Sequence, residues 1–400
     1  MKRLLVLTSS FPRWPGDNTT PFVLQFAQHI SGPDREVLVV APHYRGAAVT
    51  ERLAEHLAVR RFRYFLPDAQ EDVAYGGNAV ARVRKTPLYA LKLGMFLLSS
   101  FVSVLTARPR IINVHWLIPQ GLVATLVKSI TGSRVVVTIH GGDVFSLNGR
   151  LLRKVKRFIL ARADAVVANS AFTAAACTAL YDGREYDVVP MGIDIARFTS
   201  GPRSAELVRR HGLGDFTILF VGRLTEDKGL LDLVEALRLL ARSGTDFTAL
   251  LVGSGDQQAE LERRVEECGL ADRVVFVGWV ANDDLVDYYN TADVFVGPSV
   301  VGSKGWQEAV GLVFVEALAT GLPVISTRTG GIPDVVDDGV TGFLVDQRSP
   351  EQIFERLRTL HADRSLLATM GERGPATVEE RYSWETVTRK YSAILDRLEE

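Results

Sequence analysis

The strongest constraint on this chain is a rhythm of short Val- and Ile-rich runs. They fall at residues 4–7, 37–40, 111–114, 135–139 and 165–168, and again at 218–221, 249–252, 274–277, 294–296 and 324–326. Longer helical patterns separate them. An apolar run without polar alternation, closed by Gly, Ser, His or Pro, fits a strand of a parallel sheet covered on both faces. Two such series in succession predict an α/β chain with two doubly wound parallel-sheet domains. The 400 residues suit two or three domains at about 150 residues each.

The seam lies where the first series ends. Residues 186–190 read as a last short strand, 191–194 as a turn, and 198–204 as a polar stretch with Gly and Pro. The expected division is a first domain over 1–187, a linker over 188–205 and a second domain over 206–382. The segment 383–400 completes it, an amphipathic helix with Trp384, Val387, Tyr391, Ile394 and Leu398 at helical spacing.

Composition closes off several classes. Net charge is −1 and the Lys and Arg residues are scattered, apart from short clusters at 82–85 and 150–157, so there is no nucleic-acid footprint. Cys177 and Cys268 lie far apart without CxxC spacing, which argues against a disulfide framework or a zinc site and for a reducing, cytoplasmic setting. Residues 1–10 read as a buried strand rather than a secretory leader. The longest apolar stretch, 88–105, is interrupted by Lys92, so its charge-free run falls short of the ~20 residues that span a bilayer. It reads as a buried helix of the α/β domain. The alternative is a helix touching the cytoplasmic membrane face, helped by Arg82, Arg84 and Lys85 just before it.

In doubly wound sheets ligands sit beyond the carboxyl ends of strands, so the polar residues there carry the functional reading. One stretch, 307–327, holds Glu308 and Glu316 on either side of the start of a predicted helix over 311–320, with Gly321 just past its end. Glu308 then precedes the helix, and Glu316 lies roughly 7.5 Å along its axis at about 1.5 Å per residue. The free amides near Gly311, Leu312 and Val313, together with the helix dipole, suit a phosphate. A phosphate flanked by two carboxylates that accept from hydroxyls describes a sugar-nucleotide site. The alternative is two exposed glutamates beside a core helix.

Other strand ends add candidates. The loop after 218–221 carries Arg223 and Lys228, spaced to converge on a diphosphate, although two solvated surface cations would look the same. It is not a phosphate-binding loop of the Gly-x4-Gly-Lys-Ser/Thr type. Gly278-Trp279-Val280 offers backbone to a nucleobase. The loop after the first strand, with Gly16 and Asp17, is long, punctuated by Pro and Gly, and able to present amides to an anion. His115 and the run His140-Gly141-Gly142-Asp143 end the third and fourth strands. Ser170 is placed to cap the following helix.

Taken together, these residues resemble the retaining glycosyltransferases of family 4, which have the GT-B fold. The resemblance covers nearly the whole chain and is densest over 216–346. It rests on Val221-Gly222-Arg223-Leu224 with Lys228-Gly229, Pro298-Ser299, Glu308 and Glu316 around Gly311-Leu312-Val313, Gly321-Leu322-Pro323, Gly330-Gly331-Ile332-Pro333-Asp334, and 339–345. The 138–143 segment looks like the family's first-domain histidine loop.

The resemblance implies two Rossmann-like domains facing across a cleft, with the last helix crossing back to the first. It implies that Arg223 and Lys228 bind the donor diphosphate, that Glu308 bonds the donor sugar's hydroxyls, that the 311–313 amides hold phosphate, and that Glu316 binds the ribose. His140 would contact the transferred sugar near its anomeric carbon. Asp17, His115 and Asp143 are the acceptor-side candidates. Two positions depart from the family pattern. The first loop lacks a Gly-Gly pair, leaving Gly16 as its best phosphate contact, and position 334 is Asp where Glu is more usual.

The expected activity is transfer of a hexosyl group from a nucleotide diphosphate sugar to a hydroxyl of a glycan, glycolipid or small molecule, with retention. No Asp-x-Asp triplet occurs, and no metal or other cofactor is expected beyond the nucleotide-sugar co-substrate. A sugar, glycan or lipid-linked acceptor is the expected partner, with peripheral membrane contact left open. The rival readings are a sugar-nucleotide 2-epimerase of the same fold, a phosphorylase of the same fold using free phosphate, for which no lysine-cofactor motif is evident, and a non-catalytic sugar-nucleotide-binding subunit.

Overall fold

The computed structural model describes residues 2–17, 19–75, 86–146, 149–303 and 305–400. Arg82, Arg84 and Lys85 lie outside them. The chain forms two compact units, one of residues 1–192 with 387–400 and the other of residues 193–386.

The first unit is built on a sheet ordered β3-β4-β2-β1-β5-β6-β7-β8. Its strands are β1 (Lys2–Leu7), β2 (Arg35–Pro42), β3 (Thr50–Ala54), β4 (Leu57–Phe62), β5 (Ile111–His115), β6 (Arg134–Ile139), β7 (Ala165–Ala168) and β8 (Asp187–Val188). All neighbours are parallel except β3 and β4. Every apolar run read from the first half is one of these strands. The β3–β4 hairpin had no such signature. β3 alternates exposed and half-buried residues at the sheet edge. β4 carries Arg60 and Arg61, and Arg61 is buried, answered by Glu51 and by the carbonyls of Ala48 and Pro12.

Alternate residues of these strands face opposite ways, as pleating requires. Leu5, Leu7, Ile112, Val114, Val135 and Val137 pack under helices α2 (Pro87–Ala107), α3 (Leu122–Thr131) and α4 (Arg150–Arg162). On the other face lie α1 (Pro21–Ile30) and the end of the chain. α5 (Ala171–Leu180) follows β7, and Ser170 caps it by accepting from the Thr173 amide at 3.1 Å.

The second sheet is ordered β11-β10-β9-β12-β13-β14 and is parallel throughout. It comprises β9 (Thr217–Val221), β10 (Thr248–Val252), β11 (Val274–Gly278), β12 (Val294–Gly297), β13 (Val324–Thr327) and β14 (Gly342–Val345). Its helices are α6 (Ala205–His211), α7 (Leu230–Arg242), α8 (Gln258–Glu267), α9 (Leu285–Thr291), α10 (Leu312–Ala319), α11 (Pro350–Ala362) and α12 (Arg364–Tyr382). Residues 193–204 pack with this unit rather than running free. The Ile193 amide donates to the Tyr382 carbonyl at 3.0 Å, and Phe198 is buried in the core beside Tyr289.

The last helix, α13 (Trp384–Arg397), passes from the second unit into the first. Its Tyr391 is fully buried against Phe26 of α1, ring centroids 4.8 Å apart, and donates to Thr138 Oγ1. Asp396 pairs with Lys2 at 2.7 Å.

Each sheet starts in its middle and reverses direction once. In the first, β1 sits between β2 and β5; in the second, β9 sits between β10 and β12. The loops after β1 and β5, and after β9 and β12, therefore flank the crevices where doubly wound sheets bind ligands. Gly16, Asp17, His115, Arg223, Lys228 and Glu308 lie at those strand ends and loops, whereas His140 and Asp143 follow β6 and Gly278 and Val280 end or follow β11.

Candidate active site

In the second unit the loops after β9 and β12 are fastened together. The Val300 amide donates to the Asp227 carbonyl at 2.9 Å, and Ser303 bonds Glu226 through its amide and its hydroxyl. This brings Lys228 to Glu308, Nζ to Oε2 at 2.5 Å, with both side chains mostly shielded from solvent. Trp306 lies against both loop cations, its ring centroid 5.4 Å from Lys228 Nζ and 5.9 Å from the Arg223 guanidinium carbon. Arg223 itself is exposed.

Glu308 is held by backbone as well. Its carbonyl accepts from the Gly331 amide at 2.9 Å, and a Cβ on Gly330 would lie only 1.9 Å from that same oxygen. Only glycine permits this approach. The Glu308 side chain runs past Gly311, where a Cβ would lie 3.2 Å from Glu308 Cγ.

Gly311 precedes α10 with φ +76°, and the first turn of α10 carries no acidic residue. The opening amides of a helix have no partner within it, and the dipole is positive there. Lys228, those amides and Glu308 thus form a positive pole with one acceptor beside it, which suits a phosphate bearing a hydroxylated group. Glu316, inside α10 and half-buried, accepts from the Tyr289 hydroxyl at 2.8 Å. Burial pushes its pKa up to about 7, opposed by the Tyr289 bond and by Arg197. Gly278 ends β11 with φ +81°, its carbonyl bonded to the Gly253 amide, and Val280 packs against the core that holds Tyr289.

In the first unit, His115 and His140 end adjacent strands. Their rings stack with centroids 5.1 Å apart, and His115 Nδ1 lies 2.9 Å from His140 Nε2. Phe22 at 5.0 Å and Trp116 at 5.2 Å complete an aromatic surround for His140. Burial pushes the His140 pKa down to about 3 and that of His115 well below its usual value, so both imidazoles are neutral near pH 7.

The remaining candidates have structural duties. Asp143 is buried, its Oδ2 accepting from the Leu117 amide at 2.8 Å, and burial raises its pKa. Asp17 accepts from the Arg13 amide and guanidinium and from Thr19, which holds it well below the usual carboxylate range. Gly16, with φ +83°, is exposed in the same loop. A cavity of about 470 Å³ lined by Lys2, Glu36 and Arg108 lies at the amino ends of β1 and β2, away from all of these residues. Among the described residues, no three His, Cys, Asp or Glu side chains group so as to hold a metal ion.

The family model "Glycosyl transferases group 1" matches residues 206–377, and "Glycosyltransferase Family 4" matches 21–197. The GDP-mannose-dependent alpha-(1-6)-phosphatidylinositol monomannoside mannosyltransferase of Mycobacterium tuberculosis is 30% identical, over 99% of this chain and 98% of its own. The chain belongs to the family 4, group 1 glycosyltransferases. The 2-deoxystreptamine glucosyltransferase of Streptomyces kanamyceticus is 32% identical over 71% of the chain and 79% of its own. Among solved structures, sucrose-phosphate synthase from Thermosynechococcus elongatus superposes with a TM-score of 0.78 at 21% identity, covering 100% of this chain and 99% of the other. Anabaena HepE in complex with UDP gives 0.75 at 21% identity, covering 99% and 100%. These neighbours establish the GT-B fold.

In this glycosyltransferase, reasoning from sequence named Lys228, Glu308, Gly311 and Glu316 but missed Trp306 and Tyr289. Trp306 stands two residues before Glu308, and an aromatic beside a carboxylate in a glycine-bearing loop was the available signal. Tyr289 offered none, because it sits in a short helix on the buried side with Leu285 and Tyr288, which read as ordinary core.

Proposed function

We propose that this glycosyltransferase moves a hexosyl group from a nucleoside diphosphate sugar to a hydroxyl of a sugar or lipid-linked acceptor, with retention and without a metal ion. The observation that carries the reading is the Lys228–Glu308 pair beside the amide-bearing start of α10. Breaking a sugar–phosphate bond leaves negative charge on the diphosphate. Lys228, Arg223 and the α10 amides are fixed donors for that charge, which is where electrostatic catalysis acts.

Glu308 has one face toward Lys228 and can accept from donor-sugar hydroxyls. Glu316 accepts from the ribose, with Gly278 and Val280 offering backbone to the base and Gly16 a phosphate amide. Same-face attack, with the leaving phosphate oxygen taking the acceptor's proton, is the favoured route, since it needs no nucleophilic carboxylate of the kind retaining hydrolases use. His140, being neutral, serves as a hydrogen-bonding group rather than a proton carrier.

A full-length relative is named for GDP-mannose and a phosphatidylinositol mannoside, which makes that donor and a mannoside acceptor the first pair to test. The two free cysteines fit a cytoplasmic enzyme. Proton NMR of the product's anomeric signal, in buffer with excess chelator, tests retention and metal independence together. An inverted anomer overturns the first, and loss of turnover restored by a divalent ion overturns the second.

A further inference from the structure

α2 is apolar enough over its 21 residues to cross a membrane, yet it is a packed helix of the first unit. Tyr89, Phe96 and Val104 enter the core, Lys92 pairs inward with Asp72 at 3.1 Å, and Ser100 donates to Gln120 at 2.9 Å. The opposite face is the unusual one. Leu88, Leu91, Met95, Leu98 and Val102 recur at alternating steps of three and four residues, so they form a single stripe. All five are exposed, Leu91 by 56% and Leu98 by 54%. The described residues leave at least 38% of each exposed, and no charged residue interrupts the stripe. Monomeric soluble proteins rarely leave so continuous an apolar face to water.

The neighbouring helices continue it. α3 packs beside α2 and exposes Leu126 and, by 64%, Ile130. α4 packs beside α3 and exposes Leu151 and Phe158. α4 also exposes Arg150, Arg153, Lys154 and Arg157. None of the three helices contains an Asp or Glu, although the whole chain has 47 acidic and 46 basic residues. Lys128 of α3 is answered by Asp164 and adds no free charge.

We propose that the α2–α3–α4 face docks this enzyme on an anionic lipid bilayer surface. The α2 stripe enters the headgroup–acyl boundary and the α4 cations meet lipid phosphates. Apolar side chains beside exposed Arg and Lys, without carboxylates, are the pattern of interfacial helices on negative membranes. A second copy of the same face is the poorer occupant. It would set cationic α4 helices near one another, and none of the three helices has a carboxylate to offset them. The inference does not depend on the donor reading, since every residue in it lies outside the candidate active site.

The test is cosedimentation of the full chain with phosphatidylcholine vesicles, with and without phosphatidylglycerol, alongside light scattering of the free protein. Wild type should pellet with the phosphatidylglycerol vesicles at low salt, be released by added salt, and stay in solution with phosphatidylcholine alone. The exposed double variants Leu91→Gln/Leu98→Gln and Arg153→Glu/Arg157→Glu should each lower partitioning about tenfold while keeping the wild-type melting curve. Wild type remaining in the supernatant with anionic vesicles overturns the proposal. So does equal binding to both vesicle types, or a leucine variant that binds like wild type. A solution dimer that the leucine variant breaks would assign the face to a second copy instead.

Discussion

Lys228 Nζ donates to Glu308 Oε2 at 2.5 Å, joining the loop after β9 to the loop after β12 across 80 residues of sequence. The pair places one cation and one acceptor at the opening of α10. In the proposed reaction, replacing Lys228 with Ala removes a donor where leaving-group charge develops. Transfer should fall about a hundred- to a thousandfold, the usual cost of losing one such group. Steady-state kinetics check this, and circular dichroism melts should show a fold left intact.

Gly330 offers a test that touches no substrate-facing side chain. An alanine there must displace the Glu308 carbonyl, since its Cβ would sit 1.9 Å from that oxygen. Gly330→Ala should cost about 1–3 kcal/mol of stability, as overpacking does. It should also lose most of the activity, because Glu308 moves. Urea unfolding and turnover, measured together, separate the two effects.

The proposed ribose role of Glu316 predicts that donor binding depends on pH. Its pKa stands at about 7 against an ordinary 4.5. A carboxylate accepts from both ribose hydroxyls, whereas the protonated form keeps less acceptor capacity. Nucleotide affinity should therefore weaken as pH falls through about 7. The effect on stability runs the opposite way. The folded state holds this proton more tightly, so the group's contribution is full below pH 4.5 and is lost as pH rises through about 7. Glu316→Gln should flatten both slopes in calorimetric titrations and pH-dependent melts.

The two histidines carry a tautomer prediction. His115 Nε2 is buried with no hydrogen-bond partner among the described residues. A proton there would be an orphaned donor, the rarer arrangement. His115 should instead carry its proton on Nδ1 and donate to His140 Nε2, leaving His140 protonated on Nδ1. Imidazole nitrogen NMR should show both rings neutral between about pH 5 and 8. His140→Gln should retain more activity than His140→Ala.

Much of this was legible in the sequence because parallel strands buried on both faces read as plain apolar runs. Residues such as Leu4, Val136, Leu219 and Phe295 have no other reading. The start of α10 was equally open, because Gly311 and Gly321 mark its two ends. The β3–β4 hairpin was hidden, since Arg60 and Arg61 break the apolar run and the compensating Glu51 lies ten residues away. The second duties of Asp17 and Asp143 were hidden too. Their partners, the Arg13 guanidinium and the Leu117 amide, are set by loop conformation, which leaves no period in the sequence. The exposed stripe of α2 was misleading for a related reason. Hydropathy counts apolar residues around the whole helix, and only packing shows which side is covered.

The central claim is that the start of α10, with Lys228 and Glu308, binds a nucleoside diphosphate sugar. Isothermal titration of wild type and Lys228→Ala with GDP-mannose, GDP, UDP-glucose and UDP tests it most directly. The account predicts saturable binding of one nucleotide series to wild type, and at least tenfold weaker binding to the variant, a difference of about 1.4 kcal/mol. Absence of binding by every nucleotide, or identical affinity in the two proteins, would contradict it.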